Sequence, residues 1–497
     1  MTFPLTSNRR QLLAGIGAAG FAGALAPRAC SQVVSAGEMP GWQAGYRTAP
    51  AAGYPAAPMR RISGRLPNGF AGDLFRNGPA HFDYSGVHTG HWFDGDGMVQ
   101  RIRFSDGQAV HTGRFVDTPK RRAELAAQRF LAPGFGTAGS GDFSVMGPDD
   151  VNAANTAVIR HDGRLYALWE AGSAFELDPE TLETVGPKAW REDLKSMPFL
   201  AHSKREPDGT LRNLAIGGAT VGIYQIAANG LVRRFDLVDI GANAYIHDWA
   251  MTDRHLVILV QPWLRTTLGF PVVDHMEWQP EHGLRILIVD KDDTSQIRWA
   301  EAPPRFFYHT GAAWEDRAGA IHVDLGLYAK PVLSSGAATG LMRGMAVSEG
   351  DTPQSAICRL IIPRSGPVTI EDTGIEGEFP TVHPDFHGLG RRYTAWVGGH
   401  LPGRPGAHRV AVTDWKSGRA DHFDYGPKRI AEEHVVVAKP GGRDEADAWI
   451  VGTVLNIAKQ CQEAHVFDLA GLSDGPVASF AADYAWPLGF HGTFAAA

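Results

Sequence analysis

Four histidines stand at the ends of apolar runs, and they are the residues of this 497-residue chain best suited to share a metal ion. His202 lies in Pro198-Phe199-Leu200-Ala201-His202-Ser203-Lys204 and His247 in Ala244-Tyr245-Ile246-His247-Asp248-Trp249. His309 follows Phe306-Phe307-Tyr308, and His491 sits in Gly489-Phe490-His491-Gly492, close to the C-terminus. Taken singly, each reads equally as a solvated or hydrogen-bonded imidazole. The intervals between them are far longer than the i, i+4 pair of a helical metal site. If they act together, strands remote in the chain must bring them to one point.

The composition says which elements could do so. With 44% hydrophobic and 20% charged residues, 59 Gly and 32 Pro, the chain reads as many short strands joined by tight turns. Leu165-Tyr166-Ala167-Leu168-Trp169 follows His161-Asp162-Gly163, and His255-Leu256-Val257-Ile258-Leu259-Val260 follows Thr252-Asp253. Ile286-Leu287-Ile288-Val289 precedes Asp290-Lys291-Asp292-Asp293. Such runs predict an all-β chain. One helix is expected over 119–129, with Thr118 as its cap. A strand series this long leaves edges that closure into a propeller removes, two packed sandwiches being the alternative. No composition break divides the chain, which favours one domain over 56–497. In a propeller, the innermost strands of four blades could carry the four histidines to the axis.

The first residues read as a targeting segment. Paired Arg9-Arg10 precede a weakly apolar Ala/Gly run and the Ala24-Leu25-Ala26 cleavage pattern. This predicts a twin-arginine-type signal over 1–29 and a periplasmic location, with an ordinary secretory signal as the alternative. Residues 30–55 are expected to form an extended arm. A net charge of −7 argues against a nucleic-acid binder, which would show a basic face. Cys358 and Cys461 read as a pair or as two free buried thiols. Asp94 and Asp96 read as turn residues rather than ligands, and His383 and His387 as part of a loop.

Ordered along the chain are Arg76-Asn77-Gly78-Pro79, His91-Trp92-Phe93-Asp94-Gly95-Asp96-Gly97-Met98, Ala154-Asn155-Thr156 and Leu168-Trp169-Glu170-Ala171-Gly172. Glu176-Leu177-Asp178-Pro179, Gly377-Glu378-Phe379-Pro380 and the histidine segments follow. This series resembles the carotenoid cleavage oxygenases, a family that includes the retinal pigment epithelium isomerase and bacterial stilbene-cleaving enzymes. The resemblance implies a single-domain seven-bladed β-propeller with a loop-and-helix dome over an axial Fe(II). It implies His202, His247, His309 and His491 as ligands, and Glu170, Glu378 and Glu445 as the carboxylates that orient them. After His309 the family pattern Asn-Ala-aromatic-Glu is replaced by Ala312-Ala313-Trp314-Glu315.

The implied activity is O2-dependent cleavage of a conjugated C=C bond in an apolar polyene, a carotenoid or apocarotenoid, to carbonyl products. Stilbene-type aryl-alkene cleavage, iron-dependent polyene isomerisation and a non-catalytic periplasmic propeller are the alternatives. Trp169 stands where the stilbene-cleaving branch is expected to carry a lysine, which favours the polyene. Phe130-Leu131-Ala132-Pro133-Gly134-Phe135, Gln261-Pro262-Trp263-Leu264 and Leu268-Gly269-Phe270-Pro271 could line the entrance and touch a membrane, or equally belong to the core.

Overall fold

The computed structural model describes residues 41–332, 340–342, 354–386 and 392–497. The signal over 1–29, the start of the arm and His387 lie outside the described residues. Strands dominate and arrange as seven four-stranded blades. Blade 2 is Ala157–His161, Arg164–Leu168, Phe175–Leu177 and Thr184–Pro187, ordered from its first strand outward. Blade 3 begins at Lys204–Arg205, blade 4 at Ala250–Met251, blade 5 at Phe306–Glu315, blade 6 at Glu378–Thr381 and blade 7 at Arg429–Ala438.

First strands pack on first strands of neighbouring blades: blade 4 on 5, 5 on 6, 6 on 7, and 7 on 1. These strands therefore form the innermost ring. The sequence shows no countable repeat, yet the blades are regular, because the repeat lies in strand pairing and not in residue identity.

Blade 1 closes the ring with the chain's last strand. Gly492–Ala496 pairs antiparallel with Gly72–Pro79, from Gly72↔Ala496 to Arg76↔Gly492. On the outside, the long strand Tyr54–Gly64 pairs both with Gln108–Phe115 of blade 1 and with Ala478–Ala481 of blade 7. The stretch expected as an arm is extended only in part. Gly41–Tyr46 is a 3-10 turn whose Trp42 and Tyr46 are buried against Leu455 and Leu488.

The core is a set of layers between blades. Val257 and Leu259 pack toward blade 5, while Leu256, Ile258 and Val260 of the same strand pack toward blade 3. Both faces are buried, which is why this strand reads as an unbroken apolar run. Cys358 and Cys461 are free and buried. Among the described residues, no helix is long and apolar enough to cross a membrane.

An α-helix, α1, spans Pro119–Ala127. The Thr118 side chain accepts from the Arg121 N–H, and Gln128 ends the helix in the left-handed conformation. Its buried face is charged. Lys120 bonds Asp96 (2.8 Å) and Glu124 (2.9 Å), and Arg121 reaches Asp96 at 3.2 Å. Glu124 in turn accepts the N–H groups of Leu131 and Ala132. Asp94 accepts from the Phe135 N–H, the Gly136 N–H and the Thr137 hydroxyl. The two aspartates thus have structural roles and are not among the grouped candidate ligands, Asp94 holding the 135–137 loop and Asp96 holding α1.

Closure by the last strand predicts a stability cost when it is weakened. Phe494 is half-buried with its ring 5.2 Å from that of Phe70. Phe494→Ala should lower the unfolding free energy by about 2–3 kcal/mol in urea titrations. A change within error would mean that this strand does not close the ring.

Candidate metal centre

Innermost strands of different blades deliver the four histidines to one point. His202 precedes the first strand of blade 3, His247 that of blade 4 and His491 that of blade 1, and His309 lies within that of blade 5. One potential ligand atom from each lies within 4.8 Å of all the others. The Nε2 atom of His247 is 3.0 Å from that of His202 and 3.1 Å from that of His309.

The outward ring nitrogens explain this arrangement. Nδ1 of His247 bonds Glu170, that of His309 bonds Glu378 at 2.5 Å, and that of His491 bonds Glu433 at 2.9 Å. A carboxylate accepting the Nδ1 proton fixes the tautomer and leaves a lone pair on Nε2. Several lone pairs facing one another across about 3 Å repel, and a cation between them removes the repulsion. The donor set therefore fits a metal ion, and imidazole suits iron.

Electrostatics agree. Burial, reinforced by neighbouring imidazoles, holds His202 and His491 well below the ordinary histidine range, so both rings are neutral and ready to ligate. Burial also acts downward on His247, but the surrounding carboxylates, Glu170 first with Asp248 and Glu378, together outweigh it and raise this ring. Burial lifts the Glu433 carboxyl to about 7 against the opposing pull of Arg76.

His202 is held differently. Its carbonyl accepts from the Trp249 indole at 2.7 Å. Next to that indole, Asp248 pairs with Lys204 (2.8 Å) and accepts from both the N–H and the hydroxyl of Thr310. One buried carboxylate thus ties together the segments carrying His202, His247 and His309.

The third orienting carboxylate corrects the sequence reading. Glu445 accepts the N–H groups of Arg392 (2.9 Å) and Tyr393 (3.1 Å) and holds the start of a blade 6 strand. The carboxylate on His491 is Glu433, which also accepts the Gly492 N–H at 2.7 Å. Glu433 belongs to Ile430-Ala431-Glu432-Glu433-His434, a buried run in which two adjacent glutamates demand partners. That demand was the signal available in the sequence. Arg76 braces the same corner, donating to the carbonyls of Glu433 (2.7 Å) and Phe490 (3.0 Å). Glu315 of the divergent Ala-Ala-Trp-Glu segment accepts from Thr252 and His255. His383 is buried and caps the Asp385 N–H.

A cavity of about 430 Å³ reaches His247, His309 and His491. Phe93, Phe135, Trp169, Phe270, Tyr308 and Phe490 are among its walls. This size and lining suit a largely apolar small molecule.

A four-histidine centre on the axis of a seven-bladed propeller, opening into an aromatic cavity, defines a non-haem iron oxygenase architecture. The family model described as retinal pigment epithelial membrane protein matches residues 49–496, and the chain belongs to this family of carotenoid-cleaving and related oxygenases. It is 28% identical to isoeugenol monooxygenase of Pseudomonas putida over 87% of this chain and 93% of that protein. It is 25% identical to apocarotenoid-15,15'-oxygenase of Synechocystis over 87% of this chain and 92% of that one. The solved cobalt-substituted Synechocystis apocarotenoid oxygenase superposes with a TM-score of 0.83 at 24% identity, covering 92% of this chain and 98% of its own.

The two glutamate assignments make opposite predictions. Glu433→Gln should weaken metal binding by roughly tenfold to a hundredfold, measured as metal retained after dialysis against a graded chelator. Glu445→Gln should leave metal retention unchanged and lower stability by about 1–3 kcal/mol. The reverse pattern would restore Glu445 to the metal centre.

Proposed function

We propose that this chain is an Fe(II)-dependent oxygenase that cleaves a conjugated C=C bond of a carotenoid or apocarotenoid with O2, giving two aldehyde or ketone products. The observation that carries this reading is the meeting of four imidazoles beside an aromatic cavity. Ferrous iron held there would supply O2 activation, its charge not neutralised by its ligands.

The chain's own residues do the rest. Glu170, Glu378 and Glu433 keep three imidazoles aimed inward. Phe135, Tyr308 and Phe490 line the cavity beside the histidines, where they would hold an alkene and exclude water. No side chain is required as nucleophile or general base. Trp169 lines the cavity where a phenol-binding lysine is expected in stilbene cleavage, and this supports a polyene.

A second reading has one specific observation in its favour. The 28% identity to isoeugenol monooxygenase supports a smaller aryl alkene. An iron-dependent isomerase would use the same centre without consuming O2. Met146 is 89% exposed beside the cavity mouth and Leu268, near Phe270, is 50% exposed, which supports peripheral contact with a membrane that stores the substrate. The paired arginines of the first residues support export in the folded state, with iron loaded before transit.

Iron-loaded protein incubated with carotenoids, apocarotenals, stilbenes and isoeugenol under ¹⁸O2 should release labelled aldehydes from the polyenes, read by mass spectrometry, with matching O2 uptake. Cleavage of the aryl alkenes alone would select the second reading. Double-bond isomerisation without O2 uptake would contradict oxygenation. His247→Ala should lose iron and turnover together.

A further inference from the structure

The cavity's lining includes two arginines with no acidic partner. Neither Arg265 nor Arg404 stands in an ion pair among the described residues, and burial lowers both guanidinium pKa values. Arg404 has a structural occupation. Its two terminal nitrogens donate to the carbonyls of Pro427 (2.6 Å) and Arg429 (2.9 Å), pinning its loop to the start of blade 7.

Arg265 is less committed. It donates to a single carbonyl, Gly269 at 2.8 Å within its own loop, and its Nε is buried with no partner. Its guanidinium lies 5.8 Å from the centre of the Phe270 ring, which also lines the cavity. Beside it, Asn243 lines the same region and accepts the Arg265 N–H through its backbone carbonyl. Both residues are partly exposed, whereas His247, His309 and His491, which line the same cavity, are buried, so the pair stands toward its outer end.

A partly desolvated cation without a counter-charge carries a cost that an anion beside it removes. Guanidinium is planar, remains charged and matches a carboxylate with two parallel N–H bonds. An amphipathic substrate entering apolar end first would leave its polar end at this outer end. We propose that Arg265, assisted by Asn243, binds an anionic oxygen terminus of the substrate, best a carboxylate, and so sets how far the alkene reaches toward the histidines. This rests on the alkene-cleaving reading above and adds to it that the substrate carries an acid at one end. Trp169, in the place of the lysine expected near Glu170, leaves the outer end as the place where such an oxygen is met.

Binding is measured by quenching of tryptophan fluorescence, independent of turnover, with two matched pairs. Retinoate and retinol form the polyene pair, and ferulate and coniferyl alcohol the aryl pair. Wild-type protein should bind the acid of at least one pair about tenfold tighter than its alcohol. Arg265→Met should abolish that preference while leaving the alcohol's affinity within about twofold, and Arg265→Lys should keep part of it. Asn243→Leu should reduce the preference without removing it. Unchanged thermal unfolding of each variant checks that the fold survives. Alcohol and acid bound equally by wild type, or a preference that survives Arg265→Met, would overturn the inference while leaving the oxygenase reading intact. Binding of none of the four compounds would count against both.

Discussion

Lone pairs of imidazole nitrogens converging on one axis form the constraint on which this molecule depends. Without a cation they repel, and His202 and His491 cannot relieve the repulsion by taking up protons, because burial penalises protonation of both rings. The arrangement persists because other blades hold the rings from behind. Glu170 follows the second strand of blade 2, Glu378 opens blade 6 and Glu433 lies in the first strand of blade 7. All seven blades therefore contribute either a histidine or a glutamate to the centre. A propeller offers this because its innermost strands all reach the axis.

That dependence gives the last strand two duties. Gly489-Phe490-His491 brings a histidine to the axis, and the next five residues close blade 1. The bend is held from several sides: Asn77 and His491 share a backbone hydrogen bond, Glu432 accepts the Gly489 N–H and Arg76 grips the Phe490 carbonyl. Closing the fold and completing the centre become one event. The dome is organised with similar economy. Asp94 and Asp96, in a single short motif, fix the Phe135 loop and the charged face of α1, and through them one wall of the cavity.

How much of this was legible in the sequence depended on whether a residue's neighbours in the chain are also its neighbours in space. His202, His247 and His491 each precede a strand, His309 lies within one, and each follows its own apolar run, so local context singles them out. Glu170 and Glu378 lie in compact motifs and were legible for the same reason. Glu433 was not, because it lies inside a long buried strand with no motif around it, and nothing local separates it from Glu432 or Glu445. Strand-by-strand burial was readable from runs such as Leu256-Val257-Ile258, which are packed on both faces. The number of blades was not, since no residue pattern repeats with them. Asp248, Lys204 and Thr310 form a clamp that exists only once three blades are assembled.

X-ray absorption at the iron edge of the iron-loaded protein distinguishes an ion held by four imidazoles alone from one that also takes a carboxylate. About one iron per chain is expected, with a first shell showing the multiple-scattering signature of four histidine rings. A shell fitted by fewer rings together with carboxylate oxygens, or protein that binds no iron, would contradict it.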